Sequence, residues 1–172
     1  IEPVIVVFIF PDQESPDREM GQVDQYLEML TGELVPRIDA TFRTLPSAAA
    51  RATVGVAQGA SLALMSAFKQ PGLFTRVSSL SAFMLTADDL AGMIKPADAM
   101  PLTIYMGWGI YHLRSPYEAW DMVKANRDLH ALLREKGHHP TGGESRDGFG
   151  WALWRARLGE MLAAHFPIGV GS

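Results

Sequence analysis

Cysteine is absent from the 172 residues, which excludes disulfides, thiolate catalysis and cysteine-ligated zinc. Lysine and arginine form no cluster and the net charge is −4, so nucleic acid is not an expected partner, because binding to it depends on neutralising phosphates. The longest apolar run, about ten residues, is too short to cross a bilayer, and no membrane partner is expected. The sequence shows no signal or transit peptide and begins with Ile1 rather than Met. We therefore expect an excerpt or a processed product of unknown compartment, soluble and cytoplasmic by default.

The composition that remains is typical of one globular domain. Hydrophobic residues make up 48% of the chain and charged residues 20%. A chain of this length buries roughly 70% of the surface that its unfolded form exposes, which supplies a core without covalent cross-links. We expect a single domain over residues 1–172.

Strand and helix patterns alternate along the chain. A continuous apolar run at 3–10, closed by Pro11 and Asp12, predicts a strand buried on both faces. Further strands are predicted at 51–56, 74–80 and 102–106, helices at 17–42, 60–68, 120–136 and 151–166, and loops at 11–16, 95–101 and 137–150. Gly32 or Pro36 is expected to bend the first helix, and Gly137 to cap the third. The alternation predicts an α/β fold, a three-layer, doubly wound, mostly parallel sheet.

The turn at 55–60 is the most informative local motif. A predicted strand enters a helix directly here, with Gly55 two residues before Ala57 and Gly59 two residues after it. This is the pattern of a nucleophile elbow, where both flanking positions are expected to be small because helix and strand approach closely. The tip residue Ala57 carries no nucleophilic atom. Taken alone, two glycines also fit a glycine-rich turn of any α/β fold.

Five segments in order, the elbow among them, make the chain resemble a known family. They are 33–39 with 42–46 (similar to a helix end and a Y-R-T segment), the elbow at 51–60, 71–81 (P-x-L-F-x-x-V-x-S-x-S), 125–129 (A-N-R-x-L) and 151–155 (W-x-x-W-R). Over nearly its whole length the chain resembles the enterochelin esterase and esterase D-like branch of the α/β-hydrolase superfamily. The resemblance implies a partial α/β-hydrolase fold and a site at the carboxyl ends of the strands.

The catalytic positions that the resemblance implies are degenerate. Ala57 stands at the nucleophile, Phe149 at the histidine base and His112 at the acid that orients the base. Glu118 or Asp121 are alternative acids, and another register puts Glu144 at the base position. One oxyanion-hole donor is retained as a candidate, the backbone N–H of Gln58.

These departures favour a catalytically inactive, esterase-like binding or structural module. A serine esterase whose nucleophile was replaced by Ala57 is the alternative, and a part of a larger assembly is compatible with the first hypothesis. Residues 4–10 resemble the fourth strand of the family, which implies that the earlier strands are lacking. The first two predicted strands then either pair directly or leave a gap for other polypeptide. We expect a homo-oligomer or part of a larger polypeptide or complex.

An apolar pocket is expected at the former active site. Trp108, Tyr111, Trp151 and Trp154 are predicted to line or floor it, with core packing as the competing interpretation. The expected ligand is small and apolar or aromatic, and no motif indicates a cofactor. A metal site at His138 and His139 is not expected, because adjacent side chains point apart and a solvated turn explains them. Three serines, Ser61, Ser79 and Ser81, are interpreted as helix-face and strand-end residues.

Overall fold

A computed structural model describes residues 1–10, 22–82, 87–95, 100–112 and 121–168, without the side chains of 87–89. The helices are α1 (Val23–Met29), α2 (Val35–Thr41), α3 (Gln58–Lys69), α4 (Ala87–Ile94), α5 (Met122–Glu135) and α6 (Trp151–His165). A π-helical turn (Leu30–Leu34) joins α1 to α2, and a 3-10 turn (Ala48–Ala50) precedes the sheet. The strands are β1 (Ala52–Val56), β2 (Arg76–Leu80), β3 (Thr103–Tyr111) and β4 (Thr141–Gly148). In this part of the chain no helix is long and apolar enough to span a membrane.

The four strands form one sheet in the order β1-β2-β3-β4, and every pair is parallel. The α/β fold is therefore confirmed. Alternation along β3 assigns its side chains to two cores. Ile104, Met106 and Trp108 enter the larger core with residues of α3, α4 and α5. Tyr105 enters a smaller core on the other face, with Leu153 and other residues of α6.

The first helix begins at Val23 in the described chain and is irregular where a bend was predicted. Pro36 lies in the first turn of α2, directly after the π-helical turn. Proline has no N–H to donate to the carbonyl of Gly32, and its ring crowds that carbonyl. The wider π-helical turn accommodates this, so Pro36 explains the irregularity better than Gly32 does.

Both ends of α5 are capped, and the cap at Gly137 was predicted from the sequence. The Asp121 carboxylate caps the helix by accepting from the N–H groups of Val123 and Lys124, at 2.8 and 3.0 Å. Gly137 has a φ of 84°, and the N–H of His138 donates to the Leu133 carbonyl at 3.0 Å. This left-handed cap confirms the predicted end of the helix.

The prediction of a buried strand at residues 4–10 is wrong for this structure. No strand is assigned there, and the side chains are exposed, Phe8 at 76% and Phe10 at 81%. A strand needs a neighbour to satisfy its backbone, and β1 pairs only with β2 among the described residues. The apolar run therefore has strand-forming residues without a strand partner.

The predicted loop at 137–150 is wrong for its larger part, because β4 occupies 141–148 and pairs with β3. Gly142 shows why polar and glycine-rich residues are used here. Its φ is +80°, and an added Cβ would lie 2.2 Å from the Met106 carbonyl oxygen. Pairing with β3, and not strand propensity, determines this strand.

Candidate active site

The elbow is a one-residue turn between β1 and α3. Ala57 has φ 52° and ψ −121°, a left-handed conformation that costs a non-glycine residue about 1–3 kcal/mol. Its N–H donates to the Leu80 carbonyl at 3.0 Å, and its own carbonyl accepts from the N–H of Ala60 at 3.1 Å. The turn thus has the shape that presents a side chain at the carboxyl end of a sheet, with a methyl group at its tip.

The two flanking glycines are not equivalent. A Cβ added to Gly55 would lie 1.8 Å from the Gly59 carbonyl oxygen, so no side chain fits there. A Cβ added to Gly59 would have nothing within 4 Å. The expectation that both positions must be small therefore holds for Gly55 and is wrong for Gly59.

Gln58 is the first residue of α3. Its N–H belongs to the first turn, whose donors have no acceptor within a helix, and the helix dipole favours negative charge there. An oxyanion formed at the elbow would meet this donor, so Gln58 stays the candidate for that role.

His112 and Phe149 lie against each other. Their ring centroids are 4.7 Å apart, with His112 after the end of β3 and Phe149 just before α6. Burial lowers the pKa of His112, while a hydrogen bond to the Ser81 backbone and the charge of Asp121 oppose that shift. The phenyl ring accepts no proton, so this pair makes no acid and base relay.

Two more aromatic contacts continue from this pair. Phe149 and Trp154 meet edge to face at 5.3 Å, and Trp151 and Trp154 at 5.1 Å. Trp154 is buried and Trp151 is 77% exposed. We call His112, Phe149, Trp151 and Trp154 the aromatic cluster. Ala57 packs against the same buried core that contains Trp154, which places the elbow beside the cluster.

Trp108 does not join the aromatic cluster, so its predicted place in one pocket with Trp154 is wrong. It lies in the core on the opposite face of the sheet, because it shares the alternation of Ile104 and Met106. Its indole N–H donates to Glu144 Oε2 at 3.0 Å. Tyr111 ends β3, pairs in register with Gly148 and is 69% exposed.

The alternative catalytic carboxylates have other roles or lie elsewhere. Glu144 binds Trp108 and accepts two hydrogen bonds from Arg127, at 2.6 and 2.9 Å, so it is not a base at the elbow. Asp121 caps α5 and acts on His112 through its charge. Glu118 lies outside the described residues.

Two residues near the site were not predicted to shape it. Ser81 follows β2 with φ 53°, is fully buried, and accepts from the Trp154 indole at 3.2 Å. The buried Asn126 accepts from the Ala82 N–H at 3.0 Å and donates to its carbonyl at 2.9 Å. Together they fix the chain after β2. The S-x-S and A-N-R-x-L motifs were the available signals, since they contain these two residues.

No group of three metal-ligating side chains occurs in the described ranges. His138, expected in a solvated turn, is instead buried and meets Phe68 edge to face at 5.5 Å. Burial lowers its pKa, and the charge of His139 acts in the same direction. His139 itself is exposed, so the two rings do face different surroundings.

A family model described as "Putative esterase" matches residues 1–165. The chain belongs to this esterase family. No curated protein sequence matches it significantly. Among solved structures, the enterobactin esterase of Shigella flexneri with 2,3-dihydroxy-N-benzoyl-serine is 22% identical, with a TM-score of 0.75. The ferric enterobactin esterase of Salmonella typhimurium is also 22% identical, with a TM-score of 0.72.

These likenesses show the fold. The chain aligns over 90% of its own length with both enterobactin esterases but spans only 41% and 40% of theirs. A ferulic acid esterase of Anaeromyces mucronatus is 14% identical with a TM-score of 0.63, over 86% of this chain and 55% of that one. The chain thus spans between about two fifths and just over half of the length of these enzymes.

Proposed function

We propose that this esterase-family domain does not hydrolyse esters at its elbow and instead binds a small apolar or aromatic ligand at the aromatic cluster. The observation that carries the proposal is the elbow tip, where the strained backbone at Ala57 presents only a methyl group. An attacking atom is the one part of covalent ester hydrolysis for which no neighbouring residue substitutes.

The residues beside the elbow support the same conclusion. A serine hydrolase needs a base that takes the hydroxyl proton and a carboxylate that stabilises the charged base. Phe149 and His112, in contact at those two positions, provide an apolar ring and a buried imidazole of lowered pKa. Replacing polar groups by apolar ones also removes the need for buried hydrogen-bond partners.

The class of ligand follows from the exposed part of the cluster. Trp151 is 77% exposed and Phe149 is 37% exposed, and both rings are held by edge contacts with Trp154. Rigid aromatic rings of this kind stack on a flat apolar or aromatic group at little entropic cost. The Shigella enzyme was crystallised with a benzoyl-serine compound, which supports an aromatic ligand class.

The test combines an activity assay with a binding assay. Hydrolysis of short-chain nitrophenyl esters should stay at the buffer rate. Calorimetric titration with an N-benzoyl amino acid should show binding, weakened about threefold to tenfold by Trp151→Ala. Leu158→Ala, at a half-exposed position of the same helix, is the control and should bind like the wild type. Hydrolysis above the buffer rate, or binding unaffected by Trp151→Ala, would contradict the proposal.

A serine esterase whose nucleophile was replaced by Ala57 is the second candidate. The retained elbow favours it, because φ 52° is a conformation that alanine adopts only under strain. The two candidates differ in what a serine at this position would do. An intact esterase site would activate it at once, whereas the site described above would not.

A further inference from the structure

Ser81, the residue that follows β2, has a backbone conformation that serine rarely adopts. Its φ is 53°, and among the described residues the elbow tip Ala57 is the one other non-glycine residue with a positive φ. Such a conformation costs free energy and persists only where the surrounding contacts hold it. The two residues follow neighbouring parallel strands, so the strained positions lie side by side at the carboxyl end of the sheet.

The three polar groups of Ser81 all have partners. Its N–H donates to the Gly107 carbonyl at 2.7 Å, and its Oγ accepts from the Trp154 indole N–H at 3.2 Å. Burial lowers the pKa of His112, and a hydrogen bond to the Ser81 backbone opposes that shift. Because the Ser81 N–H is already used, the carbonyl is the acceptor of this bond, and a carbonyl acceptor favours the protonated ring. Ser81 thus binds two members of the aromatic cluster, and it is fully buried.

The two rings that Ser81 binds are the rings that hold the exposed part of the cluster. Phe149 lies between them, with its centroid 4.7 Å from that of His112 and 5.3 Å from that of Trp154. Trp151 meets Trp154 edge to face at 5.1 Å. Edge-to-face contacts depend on the relative angle of the two rings, so a rotation of the Trp154 indole would move both exposed rings.

We propose that Ser81 is a positioning residue of the ligand site, which orients His112 and Trp154 so that the exposed rings are held for stacking on an aromatic ligand. The inference rests on the proposed function, since that function supplies the ligand. The strained backbone then has a role, because it directs the hydroxyl to one ring and the carbonyl to the other. Ser81 itself is buried and acts on the ligand only through these rings.

Removing the hydroxyl tests this role. Ser81→Ala should weaken the binding of N-benzoylglycine about threefold to tenfold, the contribution of one neutral hydrogen bond. Ser81→Gly also lacks the hydroxyl but adopts a positive φ freely, and it should bind as weakly. Ser79→Ala is the matched control and should bind like the wild type, because its buried hydroxyl has no partner among the described residues. Wild-type affinity in both Ser81 variants, each shown by circular dichroism to be folded, would overturn the proposal.

A double-mutant cycle tests whether the hydroxyl acts through the indole. Trp154→Phe keeps an aromatic ring and removes the donor of the hydrogen bond. The double variant Ser81→Ala, Trp154→Phe should therefore bind no more weakly than Trp154→Phe alone. Losses that multiply in the double variant would overturn the proposal, because the two residues would then act independently.

The indole N–H signals of ¹⁵N-labelled protein report the ring positions without any ligand. The chain has four tryptophans, and the signal lost in Trp154→Phe identifies that of Trp154. Ser81→Ala should shift the signals of Trp154 and Trp151 and leave that of Trp108, on the opposite face of the sheet, in place. Unmoved Trp154 and Trp151 signals would overturn the proposal. A wild type that does not bind N-benzoylglycine, with these shifts present, would contradict the proposed function while supporting the orientation of the rings by Ser81.

Discussion

The imidazole of His112 lies against the phenyl ring of Phe149, with ring centroids 4.7 Å apart and the ring planes tilted by 39°. These are the two residues that the family resemblance aligns with the catalytic acid and base, and the fold brings them into contact. A phenyl ring takes no proton, so Phe149 cannot act as the base in this pair. The elbow has the strained backbone of a nucleophile elbow, with an alanine methyl group at its tip.

Alanine substitutions at the two elbow glycines should have opposite effects. Gly55→Ala should destabilise the fold by about 3 kcal/mol or more, because the new methyl group would overlap the Gly59 carbonyl. Gly59→Ala should be neutral or stabilise by up to ~1 kcal/mol, since the site is open and helical. Urea unfolding measures the free energy of unfolding of both variants. Equal losses would contradict the finding that only Gly55 lies too close to other atoms for a side chain.

Glycine at the elbow tip should relieve strain. Ala57→Gly is expected to stabilise the fold by about 1 kcal/mol. Glycine removes the backbone strain at positive φ, and this gain is larger than the loss from the greater conformational entropy that glycine gives the unfolded chain. The control is Ala131→Gly on the exposed face of α5, which should lose about 1 kcal/mol. Similar losses in the two variants, measured by thermal unfolding, would show that the tip is unstrained.

The free energy of unfolding should decrease as the pH is lowered, because of His165. The ring is buried, its Nε2 lies 2.6 Å from Ser78 Oγ, and its Nδ1 has no hydrogen-bond partner within the described residues. Burial, and then the charge of Arg76, lowers the pKa of His165 from 6.5 to about 4. Between these values the unfolded chain binds a proton that the folded chain does not, so stability falls as the pH falls through 6.5 towards 4.

The expected loss from His165 is on the order of 3 kcal/mol when the pH drop is complete. Urea unfolding at pH 7 and pH 5 should show a clearly smaller decrease for His165→Gln than for the wild type. Leu158→Gln, at an exposed and non-titrating position of the same helix, is the surface control and should lose as much as the wild type. An equal decrease in all three proteins would assign the pH dependence to other groups.

Local patterns predicted most of the elements correctly. The elbow strand, the helix after it and the Gly137 cap of α5 follow from residues within a few positions of one another. Residues 4–10 and β4 do not, because strand formation depends on a partner. An apolar run without a neighbour stays exposed, whereas the polar β4 is a strand because β3 lies beside it.

The predicted arrangement of the candidate site residues matches the structure only in part. Side chains alternate between the two faces of a strand, so Trp108 lies on the same face of β3 as Ile104 and Met106. Trp154 packs on the opposite face with Tyr105, and this alternation would have separated the two tryptophans. The contact of His112 with Phe149 joins residues 37 positions apart in the sequence, and no local pattern reports it. The family resemblance identified both residues, and the structure shows that they touch.

Restoring the complete relay should produce activity that no single change produces. The triple variant Ala57→Ser, His112→Asp, Phe149→His places a nucleophile, an acid and a base at the three positions. General base assistance contributes about 10²–10⁴-fold, so this variant should hydrolyse nitrophenyl acetate well above Ala57→Ser alone. Equal rates for the two variants would show that the three positions do not form a relay.

The rate of ester hydrolysis by Ala57→Ser alone is the most direct measurement. The position that the family resemblance assigns to the base holds Phe149, whose ring takes no proton, and an unassisted hydroxyl stays protonated near neutral pH. The rate should therefore equal that of the wild type and of buffer. Hydrolysis by this variant more than tenfold above buffer would contradict the loss of the base and establish a serine esterase in which only the nucleophile is missing.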